Sequence, residues 1–197
     1  MVYLHGQGGN AGEAEHFRPL LPDYDVIGFD YQAGTPWEAK KEFPPFFEKT
    51  EKRYRSVSLI ANSIGAFFAM QALSDRAIAE AFFISPVVDM EKLILSMMAS
   101  NGVTGEELRE KKRIVTPSGE ITWEYLVFAR ENPVKWRIPT KILYGEKDGL
   151  TSFETVSAFA EETGAILTVM PGGEHWFHTP EQMAFLDRWI LSLPTSD

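Results

Sequence analysis

Val57-Ser58-Leu59-Ile60-Ala61-Asn62-Ser63-Ile64-Gly65-Ala66-Phe67-Phe68-Ala69-Met70 decides how the rest of the chain is read. It opens on a short apolar run with the character of a buried strand and closes on a helix-like run of alanine, phenylalanine and methionine. Between the two stands Ser63, with Ala61 and Gly65 two places to either side. A strand that turns at once into a helix needs small residues there, because the two backbones pass close together. The sharp turn holds the serine in a strained conformation with its hydroxyl raised at the end of the sheet, the arrangement called a nucleophile elbow. A buried small residue at an ordinary strand–helix junction would look similar, the more so because Ala61 stands where glycine is usual. Serine by itself is a weak nucleophile, so residues elsewhere in the chain must carry the argument.

Downstream, Thr140-Lys141-Ile142-Leu143-Tyr144-Gly145-Glu146-Lys147-Asp148 reads as an apolar strand that ends in a loop bearing an aspartate. A further strand, Ala165-Ile166-Leu167-Thr168-Val169-Met170, leads into Pro171-Gly172-Gly173-Glu174-His175-Trp176-Phe177. Asp148 and His175 are therefore expected just past the C-terminal ends of strands. That is the edge of a parallel sheet where ligands bind, and it is the edge of Ser63. From there His175 would take the Ser63 proton and return it to a leaving group, while Asp148 orients the imidazole and stabilises the imidazolium. Asp89, shortly after the strand-like Ala81-Phe82-Phe83-Ile84-Ser85, is an alternative acid. His178 precedes a helix start, Thr179-Pro180-Glu181-Gln182, and reads as a surface residue; His16 reads as solvated.

Near the beginning, Val2-Tyr3-Leu4-His5-Gly6-Gln7-Gly8-Gly9 reads as a strand followed by a glycine-rich turn. Glycines let backbone N–H groups converge on a developing oxyanion. The Ile64 amide, next after the serine, is one expected donor, and Gln7 or Gly8 supplies the other.

These four motifs, in this order, resemble the α/β-hydrolase superfamily of serine hydrolases over almost the whole chain apart from its middle. The resemblance implies one domain across 1–197: a mostly parallel sheet of about six strands, covered by helices on both faces. It implies a carboxylesterase-like enzyme with Ser63 as nucleophile, His175 as base and Asp148 as acid, a structural role for His5, and no cofactor. The same machinery also serves thioesterases, amidases and small-peptide hydrolases, and the fold also hosts binding proteins without catalysis.

Gly6-Gln7-Gly8-Gly9-Asn10-Ala11 additionally fits a dinucleotide-binding fingerprint, with Asp30 near the place of a ribose-binding acid. That NAD(P) reading leaves Ser63, Asp148 and His175 without a role.

Length and composition set outer bounds. At 197 residues with 44% hydrophobic content, the chain is near the small end for a complete α/β enzyme. A net charge of −9 argues against nucleic acid or an anionic membrane as partner. The absence of cysteine rules out thiol chemistry and suits a cytoplasmic setting. No apolar run is long enough to span a bilayer, the start lacks a signal-peptide pattern, and the histidines lack metal-ligand spacing. The expected partner is a small-molecule ester or related acyl compound, with monomer and homodimer both open. The first strand starts at the very beginning, where the family usually has one or two earlier strands, which would leave a sheet edge for a dimer partner.

Strands are expected at roughly 2–5, 25–30, 56–62, 80–85, 140–145 and 165–170. Helices are expected at about 11–20, 37–54 with a break at Pro44-Pro45, 64–75, 152–163 and 180–192. The alternation fails over about 87–138, which reads as a cap insert with an amphipathic helix, a short hairpin around Pro117-Ser118-Gly119 and a second helix. Met97, Met98, Trp123, Tyr125 and Phe128 in this insert, with Trp176, are the expected lining of an apolar substrate pocket.

Overall fold

The computed structural model of the protein describes residues 1–117 and 119–193. Six strands form one sheet: β1 (Val2–Leu4), β2 (Ile27–Gly28), β3 (Leu59–Asn62), β4 (Ala81–Ile84), β7 (Thr140–Gly145) and β8 (Ile166–Met170). Their order across the sheet is β2-β1-β3-β4-β7-β8, and every neighbouring pair is parallel. A second, two-stranded antiparallel ribbon pairs β5 (Arg113–Thr116) with β6 (Gly119–Thr122). The open edges of the main sheet fall at β2, which is two residues long, and at β8. The first strand of the chain is therefore interior.

Side-chain alternation along the strands divides the core between the two faces of the sheet. Val2, Leu4, Leu59, Ala61, Phe83, Ile142 and Tyr144 face α2 (Pro36–Arg53), α3 (Ile64–Leu73) and α7 (Phe153–Thr163). Tyr3, Ile60, Phe82, Ile84 and Leu143 face the opposite way, toward α1 (Ala14–Phe17) and α8 (Pro180–Leu191). In α8, Leu186, Trp189 and Ile190, spaced along one side of the helix, are enclosed, with Met183 and Leu193 packed beside them. Among the described residues no helix is long and apolar enough to cross a membrane.

Two expectations need correction. Helix α2 runs without a break from Pro36 to Arg53, through Pro44 and Pro45. Proline φ is already helical, and the carbonyls deprived of a donor belong to Lys40 and Lys41, both exposed to water. Phe43 and Phe47, one turn apart and fully buried, hold the helix against the core on either side of the prolines. Helix α7 starts at Phe153, one residue later than expected, because Ser152 is its cap and accepts the Thr155 amide.

Between β4 and β7 the chain forms α4 (Met90–Ser100), α5 (Gly105–Lys111), the β5–β6 ribbon and α6 (Trp123–Glu131). These elements fold down on the α2/α3 face. Ile94, Met98, Leu108, Ile121, Leu126 and Ala129 join the core there. Trp37 of α2 meets Tyr125 at 5.6 Å and Phe128 at 5.5 Å between ring centroids.

Candidate active site

Ser63 follows β3 directly and has φ 52 and ψ −120, a backbone region that L-residues rarely enter. Two hydrogen bonds fix the turn: the Ser63 amide donates to the Ile84 carbonyl at 2.9 Å, and the Val87 amide donates to the Ser63 carbonyl at 3.1 Å. The elbow therefore takes its support from β4 and the segment just after it.

The Ser63 hydroxyl lies 2.8 Å from His175 Nε2, and His175 Nδ1 lies 2.7 Å from Asp148 Oδ2. The three come from the ends of β3, β8 and β7, which the parallel register brings to one edge of the sheet. The Asp148 side chain is completely enclosed, whereas that of His175 is 19% exposed. The second Asp148 oxygen accepts the amides of Leu150 at 2.8 Å and Thr151 at 3.1 Å, so the carboxylate is both oriented and compensated. The loops bearing Asp148 and His175 are tied to each other: the Lys147 amide donates to Gly173 O at 2.7 Å, and the Gly172 amide donates to the Glu146 carboxylate at 2.7 Å. Behind Asp148, burial and the Asp148 carboxylate push the Tyr144 hydroxyl up to about 12.

Asp89 and the other histidines have contacts of their own. Asp89 caps α4, accepting the Lys92 amide at 2.9 Å. His5 stacks on Tyr31 at 4.1 Å between centroids and offers its carbonyl to the Tyr31 hydroxyl, a structural role. His16, expected to be solvated, instead bonds Asp187 at 2.8 Å and lines the cavity described below.

Gly6-Gln7-Gly8-Gly9 forms a tight turn closed by the Gly9 amide on the Gly6 carbonyl at 3.1 Å, with Gly8 at φ +76. A positive φ at the third position is what a type II turn requires, and glycine supplies it at no steric cost. In such a turn the amide of the second residue, here Gln7, takes no part in the closing bond. Ile64 opens α3, and the first amides of a helix have no intrahelical acceptor. After the turn come one turn of 3-10 helix (Ala11–Glu13) and the four-residue α1, in place of the longer helix on which a pyrophosphate would rest.

A cavity of about 760 Å³ opens beside Ser63 and His175. Its apolar wall comes from Phe17, Ile84, Phe177, Met183 and Leu186, on the α1/α8 face of the sheet. Trp176 also lines it and is 68% exposed. Met97, Met98, Trp123, Tyr125 and Phe128 do not, which corrects the expected pocket. Met98 is buried in the core of the other face, with Met97, Trp123 and Tyr125 packed against it, and Phe128 lies under Lys40 at 4.9 Å. The insert reaches the opposite face because α4 and α6 bury their apolar sides against it. The residues missed from the sequence are Met183 and Leu186, already visible as an apolar helix stripe, and Tyr3, Glu13 and His16 around the glycine turn. Among the described residues, no three histidine or acidic side chains converge as metal ligands.

No family model and no curated protein matches the chain by sequence. Solved structures do. Est1E from Butyrivibrio proteoclasticus superposes with a TM-score of 0.74 at 16% identity, covering 96% of this chain and 84% of that one. Alpha/beta hydrolase domain-containing protein 10 from mouse gives 0.73 at 15% identity, covering 96% and 86%. The monoacylglycerol lipase of Paleococcus ferrophilus gives 0.63 at 18% identity, covering 97% and 93%. Identities this low speak to architecture, and on that level the sheet order and these likenesses agree: the chain has the fold of the α/β-hydrolase superfamily.

Proposed function

We propose that the protein is a serine hydrolase that cleaves a small, mostly apolar carboxylic ester through an acyl-enzyme intermediate. The observation that carries this reading is the continuous hydrogen-bonded line from the Ser63 hydroxyl through His175 to the enclosed Asp148. In the proposed reaction Ser63 Oγ attacks the ester carbonyl while its proton passes to His175 Nε2. The charge that develops on the carbonyl oxygen is met by the amides of Ile64 and Gln7. Collapse of the tetrahedral intermediate expels the alcohol, which takes the proton from His175 and leaves an acyl group on Ser63. Water, deprotonated by His175, then releases the carboxylic acid and restores the serine. The apolar wall of the cavity supports an ester of modest size, and a monoacylglycerol lipase stands among the structural neighbours.

The test is covalent labelling by a fluorophosphonate, read by intact mass. The expected result is one adduct, mapped to Ser63, absent from Ser63→Ala and strongly slowed in His175→Ala. An unlabelled, well-folded protein would overturn the proposal and favour a binding role on this fold. With labelling established, a panel of ester, thioester and amide substrates of equal acyl length identifies the leaving group.

A further inference from the structure

The cavity beside Ser63 contains a carboxylate for which ester hydrolysis has no task. Glu13, just after the glycine turn, is half-buried and lines the cavity. Its Oε2 accepts the Tyr3 hydroxyl at 2.5 Å, and its Oε1 accepts the Asn10 amide at 3.3 Å. A carboxylate has about four lone-pair positions, so these two donors leave acceptor capacity unused. Burial and the neighbouring Glu13 push the Tyr3 hydroxyl above its ordinary pKa, which keeps it a donor to Glu13.

The charge around Glu13 is one-sided. No lysine or arginine is among the described residues lining the cavity. Each lining histidine already has an acid of its own: His16 has Asp187, His175 has Asp148 and His178 has Glu174. Glu13 forms no ion pair with any described residue. It shares the cavity with the apolar side chains of Phe17, Met183 and Leu186, and beside low-dielectric walls a fixed charge is felt more strongly than in water.

We propose that Glu13, held in place by Tyr3, is a specificity-determining residue that selects esters bearing an ammonium group and turns away anionic ones. The inference rests on the hydrolase reading of the same site and sharpens its substrate class. An organic cation in the cavity would give Glu13 the positive partner that the described lining residues do not supply. A carboxylate, sulfonate or phosphate would meet an uncompensated negative charge, with no lysine or arginine among the described residues lining the cavity.

The experiment uses a matched set of three para-nitrophenyl butanoates whose chains end in trimethylammonium, tert-butyl or sulfonate. The first two are alike in shape and differ in charge. The expected order of kcat/KM is ammonium, tert-butyl, sulfonate, with about tenfold between successive members. Glu13→Gln removes the charge, while glutamine still serves in a capping box, and a thermal melt checks that the variant is folded. In that variant the ammonium preference should fall about tenfold. Glu181→Gln, an exposed acid outside the cavity, controls for overall charge and should leave the preference as it is. A natural chain that cleaves the tert-butyl ester as fast as the ammonium ester overturns the inference while leaving the hydrolase reading intact. An equal effect of Glu181→Gln also overturns it, by tracing the preference to overall charge. Failure to cleave any of the three, together with no fluorophosphonate adduct, overturns the hydrolase reading and this inference with it.

Discussion

Gly65 lies so close to the His5 carbonyl oxygen that no Cβ fits between them, and the Leu4 carbonyl oxygen would stand only 2.9 Å from such a carbon. The start of α3 is thus pressed against the end of β1, and the glycine two places after Ser63 is what allows it. This contact brings the Ile64 amide and the glycine turn after His5 to the same end of the sheet.

Gly65→Ala should therefore force the elbow away from β1. Overpacking of a tight contact typically costs about 1–3 kcal/mol, and here the obstacles are backbone atoms that cannot rotate aside. The expected outcome is a lower urea midpoint together with a fluorophosphonate labelling rate reduced by roughly a hundredfold, since the two proposed oxyanion donors would separate. A variant of unchanged stability and labelling rate would mean that the two backbones can part without cost.

Ser63 at φ 52 and ψ −120 carries a Cβ in a region that suits glycine. Alanine keeps that Cβ, so Ser63→Ala should retain the strain, whereas Ser63→Gly should release it. Both variants lose labelling, and Ser63→Gly is expected to be the more stable of the two by about 1 kcal/mol, the strain relieved less the backbone entropy of glycine. Thermal melts of the pair decide the matter; equal melting temperatures would count against strain at the elbow.

Because the cavity lies on the α1/α8 face, acyl-length preference should respond to α8 and ignore the insert. Met183→Ala lengthens the apolar space and should raise the kcat/KM ratio of longer to shorter acyl esters severalfold, each buried methylene being worth about 0.8 kcal/mol. Phe128→Ala, packed on Trp37 and Lys40, should cost about 1–3 kcal/mol of stability and leave that ratio within about twofold. The reverse pattern would return substrate selection to the insert.

Stability should fall on the alkaline side. In the unfolded chain a tyrosine loses its proton near pH 10, whereas burial and Asp148 hold folded Tyr144 neutral up to about 12. Between those values the unfolded state binds fewer protons than the folded one, so stability is full below about pH 10 and is lost as the pH rises through that window. Burial pushes Tyr3, Tyr31 and Tyr125 up as well, which adds to the loss. Tyrosinate absorbance should accordingly rise together with the loss of helical circular dichroism. A tyrosinate signal of these residues near pH 10 with the helices intact would contradict the burial account.

Much of the architecture was legible because it is written in short-range patterns. The strand–Ser63–helix junction, the glycine turn, the loop of Asp148 and the loop of His175 each follow an apolar run, and a parallel sheet with right-handed crossovers sends the ends of all such runs to one edge. Proline was misread at Pro44-Pro45. The local rule holds for an isolated helix, and here Phe43 and Phe47 anchor the helix to the core on both sides of the defect.

Local sequence is enough to set the alternation of strand and helix and the small residues that a sharp elbow demands, since each depends on neighbours within a few positions, and the chain order of serine, acid and histidine is read directly. Which face of the sheet carries the cavity and which the insert is settled by long-range packing. The apolar stripes of α4, α6 and α8 show that one side of each helix is buried, without saying against which layer. That choice came from packing across the whole fold. It placed Phe128 against Trp37, and it placed Met183 and Glu13 in the cavity beside Ser63.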